Sequence, residues 1–172
     1  MTKDEKEVLK MVSRFFVLSE RNDGWNDLLS GTKLRELHTA ITLGHKVTGN
    51  INGIDAMNKD RAEEYKNTNQ PRMRGTWGGL PIRETEKETV QAFKQLKLDK
   101  VDDFYFTRSN KKTGDYEEIW HVSRINVQRV MIPKLKAAYA RVYGTETKCL
   151  KIHMDDSDIR KYGKQVKLKR AA

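Results

Sequence analysis

Asp55, Glu64 and Lys66 are the residues whose types and spacing carry the most chemistry in this chain. They lie in the run Gly53-Ile54-Asp55-Ala56-Met57-Asn58-Lys59-Asp60-Arg61-Ala62-Glu63-Glu64-Tyr65-Lys66. The polar link 58–61 suits a hairpin turn between two strands, near 51–57 and 62–67. With Met57 opposite Ala62, Asp55 falls opposite Glu64 and Gly53 opposite Lys66. Opposed residues share a face of a two-stranded ribbon, with Cβ atoms roughly 4.5–5.5 Å apart. The period of two puts Glu64 and Lys66 on that face and sends Glu63 and Tyr65 to the other. Two converging carboxylates repel, and a divalent cation between them relieves that repulsion. Hard oxygen donors with open positions suit Mg²⁺, which keeps waters and accepts phosphate oxygens. A neighbouring amine such as Lys66 could orient an attacking water or offset phosphate charge, and Gly53 leaves it room.

The composition agrees with a polyanionic partner. In 172 residues, 34 Lys and Arg against 24 Asp and Glu give a formal charge of +10. Such an excess favours nucleic acid or an anionic membrane surface. No apolar run approaches the length of a membrane-spanning helix, and Met1 is followed by no signal-like apolar stretch, so nucleic acid is the favoured partner. Cys149 is the only cysteine, which excludes an intrachain disulfide and a Cys-rich zinc site. It fits a reducing, cytoplasmic setting and is expected as a small buried side chain. His38, His45, His121 and His153 show no metal-type spacing.

The elements that must position these residues are legible from caps and periodicity. Thr2 and Glu5 make a capping box for a first helix with Val8, Met11, Val12, Phe15 and Phe16 as its apolar side. A connector around Trp25 follows, broken by Asn, Asp and Gly. A second helix is predicted over 32–43, burying Leu34, Leu37 and Ile41 and stopping at Gly44. After the hairpin, 67–83 reads as a long polar loop. A third helix starts at the capping box of Thr85 and Glu88 and buries Val90, Phe93 and Leu96. Strands over 103–107 and 117–122 are joined by a loop containing Gly114, and helix follows from Asn126, restarted at Pro133 and ending at Gly144. Residues 150–154 suit an edge strand, and 155–169 a basic tail, partly helical. The expectation is one mixed α/β domain over 1–172, with helices flanking a central mixed β-sheet. Within it, 1–31 is an N-terminal helix and connector, 32–144 the core, and 145–172 a basic C-terminal segment.

The string from Gly53 to Lys66, with Asp55, eight intervening residues and then Glu64-Tyr65-Lys66, resembles the PD-(D/E)xK nuclease motif. It is similar to the catalytic hairpin of type II restriction endonucleases, particularly the PvuII-like branch. KLRELHTAITLG resembles the helix before that hairpin, DDFYFTRS and EEIWHVS the later core strands, and the helix after Asn126 a closing element. The resemblance covers about 33–144, and its specific part is the hairpin. Ile54 stands where the family often has proline. The resemblance implies a restriction-endonuclease-like core, metal ligation by Asp55 and Glu64, and Lys66 as catalytic lysine. It also implies a helix glutamate, for which Glu36 is the candidate, although Glu36 could equally be a solvated helix residue.

Asn69, Gln70, Arg72, Arg74, Trp77 and Arg83 follow the catalytic strand, and Arg, Asn and Gln can pair bidentately with base edges. An ordinary polar connector is the alternative. Arg160, Lys161, Lys164, Lys167, Lys169 and Arg170 suit phosphates, or simply keep the chain soluble. The expected activity is Mg²⁺-dependent hydrolysis of double-stranded DNA, by a restriction enzyme acting as a homodimer on a short palindromic site. The alternatives are another nuclease with this core, of homing, repair or phage type, or a nucleic-acid-binding module without catalysis.

Overall fold

The computed structural model describes residues 2–22, 32–48 and 53–168. Helix α1 (Lys3–Arg21) starts at the expected capping box, with Thr2 and Glu5 exchanging hydrogen bonds. Its apolar side is only partly used. Phe15 packs against the core beneath α2, while Met11 and Phe16 remain 51% and 58% exposed. The Val8 side chain lies outside the described part, as do Trp25 and its connector. Helix α2 (Lys33–Leu43) ends at Gly44, whose φ of 73° lets the chain turn away. It buries Glu36, Leu37, Thr39 and Ala40; the expected Leu34 and Ile41 lie on its outer face.

Strands β1 (Lys46–Val47), β2 (Ala56–Asn58), β3 (Arg61–Thr68), β5 (Asp103–Ser109), β6 (Tyr116–Ser123) and β8 (Lys164–Gln165) form one sheet in that order. Pairing is antiparallel except between β3 and β5, which run parallel, so the sheet is mixed as expected. The hairpin register is also as expected, with Met57 opposite Ala62 and Asn58 opposite Arg61. Its first strand is shorter than the reading of 51–57. Residues 53–55 are not strand, Gly53 has φ 113°, and Ile51 and Asn52 lie outside the described residues.

The parallel pairing requires a crossover, and the crossover corrects the expected loop. Residues 74–81 form strand β4 (Arg74–Pro81), antiparallel to β7 (Cys149–Asp155) in a separate two-stranded ribbon. Its polar, glycine-rich sequence masks an alternation in which Gly75, Trp77 and Leu80 turn inward. Gly75 lies so close to the sheet that a Cβ there would overlap the Phe106 ring. Helix α3 (Glu86–Phe93) begins at the expected capping box and widens into a π-helical turn (Lys94–Leu98). That turn buries Leu98 and leaves Leu96, expected inside, 55% exposed. Helix α4 (Arg124–Val142) runs unbroken through Pro133 rather than restarting there.

Side chains alternate along β5. Phe104 and Phe106 enter the main core with Trp77, Met131, Leu135 and Met154, whereas Tyr105 enters a smaller core with Leu37, Ala40 and Tyr65. The C-terminal segment is part of the fold. Helix α5 (Asp156–Tyr162) buries Ile159, and β8 closes the sheet edge against β6. Cys149 is exposed, contrary to its expected burial. Among the described residues no helix is long and apolar enough to cross a membrane.

Candidate active site

The parallel register between β3 and β5 sets which way the side chains of β3 point. Glu64 is paired with Phe104 and Lys66 with Phe106, so both side chains emerge on the face covered by β4. Tyr65 pairs with Tyr105 and turns to the α2 side. The result is a cleft of about 690 Å³ between the hairpin, the start of α2, strand β4 and the π-turn. Asp55, Glu64, Lys66 and Glu36 all line it, so the four residues expected to meet do so.

Each is held by local structure. Asp55 Oδ2 accepts the backbone N–H of Tyr65 at 2.7 Å, and its own N–H donates to the Glu63 carbonyl at 2.9 Å. Lys66 Nζ donates to Glu64 Oε1 at 2.5 Å and lies 5.4 Å from the Trp77 ring centre. Glu36 is 7% exposed; it accepts from the Thr32 hydroxyl and, at 2.7 Å, from Lys33 Nζ. Glu36 is thus a buried member of the cleft and not a solvated helix residue. Burial pushes the Asp55 carboxyl up to about 7, with further contributions from the charges of Glu64 and Glu36. The Tyr65 N–H and the Lys66 ammonium offset only part of that rise.

Among the described residues no group of three His, Cys, Asp or Glu side chains is placed to hold a metal ion. Lys66 occupies one Glu64 oxygen, and Thr32 and Lys33 occupy Glu36. The donor chemistry nevertheless fits a hard divalent cation. The carboxylates of the cleft are hard oxygen donors that repel one another, and Mg²⁺ commonly takes only one or two carboxylates with waters.

The expected DNA-reading residues separate into groups. Arg74 lines the cleft and pairs with Asp155 Oδ1 at 3.3 Å. Trp77 also lines it but is 3% exposed, stacked edgewise on Phe104 and Phe106, so it is a wall of the core and not a base contact. Asn69, Gln70 and Arg72 sit on the turn between β3 and β4; Gln70 and Arg72 line a groove next to the cleft. Arg83 lies beyond the opposite end of β4, where its backbone meets Thr89 and Tyr139, away from this site.

The basic segment is corrected in the same way. Arg160 is committed internally: it pairs with Glu118 at 2.8 Å and Asp156 at 2.7 Å and lies over the Trp120 ring. Lys164 belongs to β8 opposite His121, Lys161 lies over Tyr162, and Lys167 is exposed. Lys169 and Arg170 lie outside the described residues. Sequence reading missed Thr32, Lys97 and Lys100, which complete the cleft. Nothing in a helix-periodic stretch signals a π-turn, so the two lysines carried no sequence mark.

On the opposite face of β3, Glu63 is fully buried and neither carboxylate oxygen has a hydrogen-bond partner. Burial, followed by the charge of Asp103, pushes it up to about 8. Asp103 itself is kept low despite burial by hydrogen bonds from Arg61 and His121. In comparison with known proteins, no protein-family model matches the chain, and no curated protein matches it.

Proposed function

We propose that this chain is a divalent-metal-dependent endonuclease that hydrolyses phosphodiester bonds of double-stranded DNA. The observation that carries the reading is one cleft lined by Asp55, Glu64 and Lys66 on the predicted register, with Glu36 beside them. Asp55 and Glu64 would hold Mg²⁺, which when bound supplies an acidified water and stabilises charge on the phosphate. Glu36 adds negative charge at the same spot, which favours a cation over a bare carboxylate cluster. Lys66 is seated between Glu64 and the Trp77 face, so its ammonium is held at the carboxylates. From there it can neutralise a phosphate oxygen or hold the attacking water. The formal charge of +10 favours the polyanionic substrate.

The finer reading is a type II restriction enzyme that acts as a homodimer on a short palindromic site, since two-fold DNA symmetry is matched by two identical subunits. Digestion of a sequenced plasmid with and without Mg²⁺ tests both levels. Discrete bands that depend on Mg²⁺ support a site-specific nuclease. A smear supports a nuclease of the same chemistry without a fixed site. Intact plasmid under all divalent cations, with duplex binding retained, leaves the nucleic-acid-binding module in its place.

A further inference from the structure

The cleft has a second wall, made by the π-turn and the residues after it, and this wall is basic. Lys97 and Lys100 line the same cleft as Asp55, Glu64 and Glu36, from that side. Both are exposed, and neither makes an ion pair or side-chain hydrogen bond among the described residues. The other cations of the cleft are already matched, Lys66 by Glu64 and Arg74 by Asp155. Lys97 and Lys100 are therefore the positive charges in this cleft without a carboxylate partner among the described residues.

The backbone places them beside the cleft. The Asp99 N–H donates to the Lys94 carbonyl at 2.9 Å, the i to i+5 bond of a π-turn. Such turns are rare and are frequently found at functional sites; here it forms the last turn of the helix. Here the turn carries Leu98 fully into the core while Lys97 and Lys100 stay on the cleft side. The cleft thus holds paired charges on the hairpin and β4 and, on the π-turn side, two lysines unpaired among the described residues, a layout suited to a substrate that is itself a chain of anions.

We propose that Lys97 and Lys100 grip the sugar–phosphate backbone of the strand being cut, each on one phosphate, and so set the scissile bond against the carboxylates. The proposal rests on the nuclease reading and adds the residues that seat the substrate. Lysine binds phosphate as a point charge without reading bases, so the grip is the same on every sequence.

The test is duplex binding by the full chain in EDTA, where no cleavage intervenes. A labelled duplex of arbitrary sequence, about thirty base pairs long, is titrated at several salt concentrations. The variants are Lys97→Gln/Lys100→Gln, the charge-keeping Lys97→Arg/Lys100→Arg, and Arg129→Gln/Arg141→Gln on α4 as a control of equal charge loss. Each phosphate contact contributes roughly −0.9 to the log–log slope on duplex DNA. The glutamine pair should therefore be shallower than the parent chain by about 1.8, while the arginine pair and the α4 control keep the parent slope. A parent slope in the glutamine pair overturns the grip and leaves the nuclease reading standing. A parent chain that neither binds duplex nor cuts it with Mg²⁺ overturns both.

Discussion

Lys66 Nζ stands 2.5 Å from Glu64 Oε1, two residues away on one face of the same strand. The pair is about four-fifths buried, so the ammonium is the counter-charge that lets Glu64 remain in the cleft. A cation entering the site would compete for that oxygen and free Lys66 toward the substrate. Lys66→Ala should cut cleavage by at least about a hundredfold, the usual scale for a lost proton-handling or charge-stabilising group. Its circular dichroism and duplex affinity should stay near those of the parent. Near-normal cleavage by this variant would refute the assignment. Asp55→Ala and Glu64→Ala should lose activity similarly and also bind Mg²⁺ more weakly by calorimetry.

Glu63 predicts a pH dependence of stability. A carboxyl raised from 4.5 to about 8 in the folded chain favours folding fully only below its unfolded value. As pH climbs from 4.5 through about 8, the unfolded chain ionises first and stability declines. A tenfold change in proton affinity between folded and unfolded chain is worth about 1.4 kcal/mol, so the loss is on the order of a few kcal/mol. Glu63→Gln, nearly the same shape, should flatten this part of the profile and stabilise the chain at alkaline pH relative to the parent. Urea denaturation at a series of pH values measures both curves; parallel curves would mean that Glu63 does not carry the effect.

Gly75 is the point where β4 touches the main sheet. A methyl group there would run into the Phe106 ring, so Gly75→Ala must lift β4 or displace the ring. Overpacking of this kind costs about 1–3 kcal/mol. Because Arg74 and Trp77 flank it, the variant should lose activity along with thermal stability. A melting temperature equal to the parent's would show that the ribbon yields freely.

Arg160 belongs to the fold and not to a DNA-binding tail. It joins Glu118 to Asp156, and Asp156 Oδ1 accepts the Met73 N–H at 3.0 Å, at the end of the turn that carries Gln70 and Arg72. Arg160→Ala should cost about 1–2 kcal/mol, since Arg108 still pairs with the buried Glu118. Chemical denaturation measures that cost. The salt slope of any DNA binding should be unchanged, because its guanidinium is taken up by Glu118 and Asp156.

Arg72 is exposed on that turn, in the groove beside the cleft. If the site cut is a fixed sequence, Arg72→Ala should cost about 1–3 kcal/mol on it and far less on random duplex. Equal losses on both would reduce Arg72 to a phosphate contact.

The β2–β3 hairpin was readable because a two-residue period and a polar turn determine who faces whom, and Met57 does lie opposite Ala62. The capping boxes at Thr2 and Thr85 marked helix starts for an equally local reason. The misses came from distant partners and from a shift in helical phase. Strand β4 looked like a loop because its glycines are explained only by Phe106 and β7, far along the chain. Leu96 was misplaced and Lys97 overlooked because a π-turn shifts the helical phase without any cue in residue type. Arg160 resembled a solvated tail residue because Glu118 and Asp156 neutralise it only after folding.

The parallel pairing of β3 with β5 bears on how the site comes into being. Glu64 and Lys66 acquire Phe104 and Phe106 as neighbours only after the whole crossover has been made, and β4 acquires β7 only near residue 150. Contacts this far apart in sequence cost loop-closure entropy and form slowly. A nascent or truncated chain that ends before β7 carries Asp55, Glu64 and Lys66 but lacks the ribbon that roofs their cleft. Activity should therefore appear in a single late step of folding, together with the tertiary signal of Trp77 and not with the earlier helical signal. If the proposed nuclease reading holds, that order keeps unfinished copies harmless.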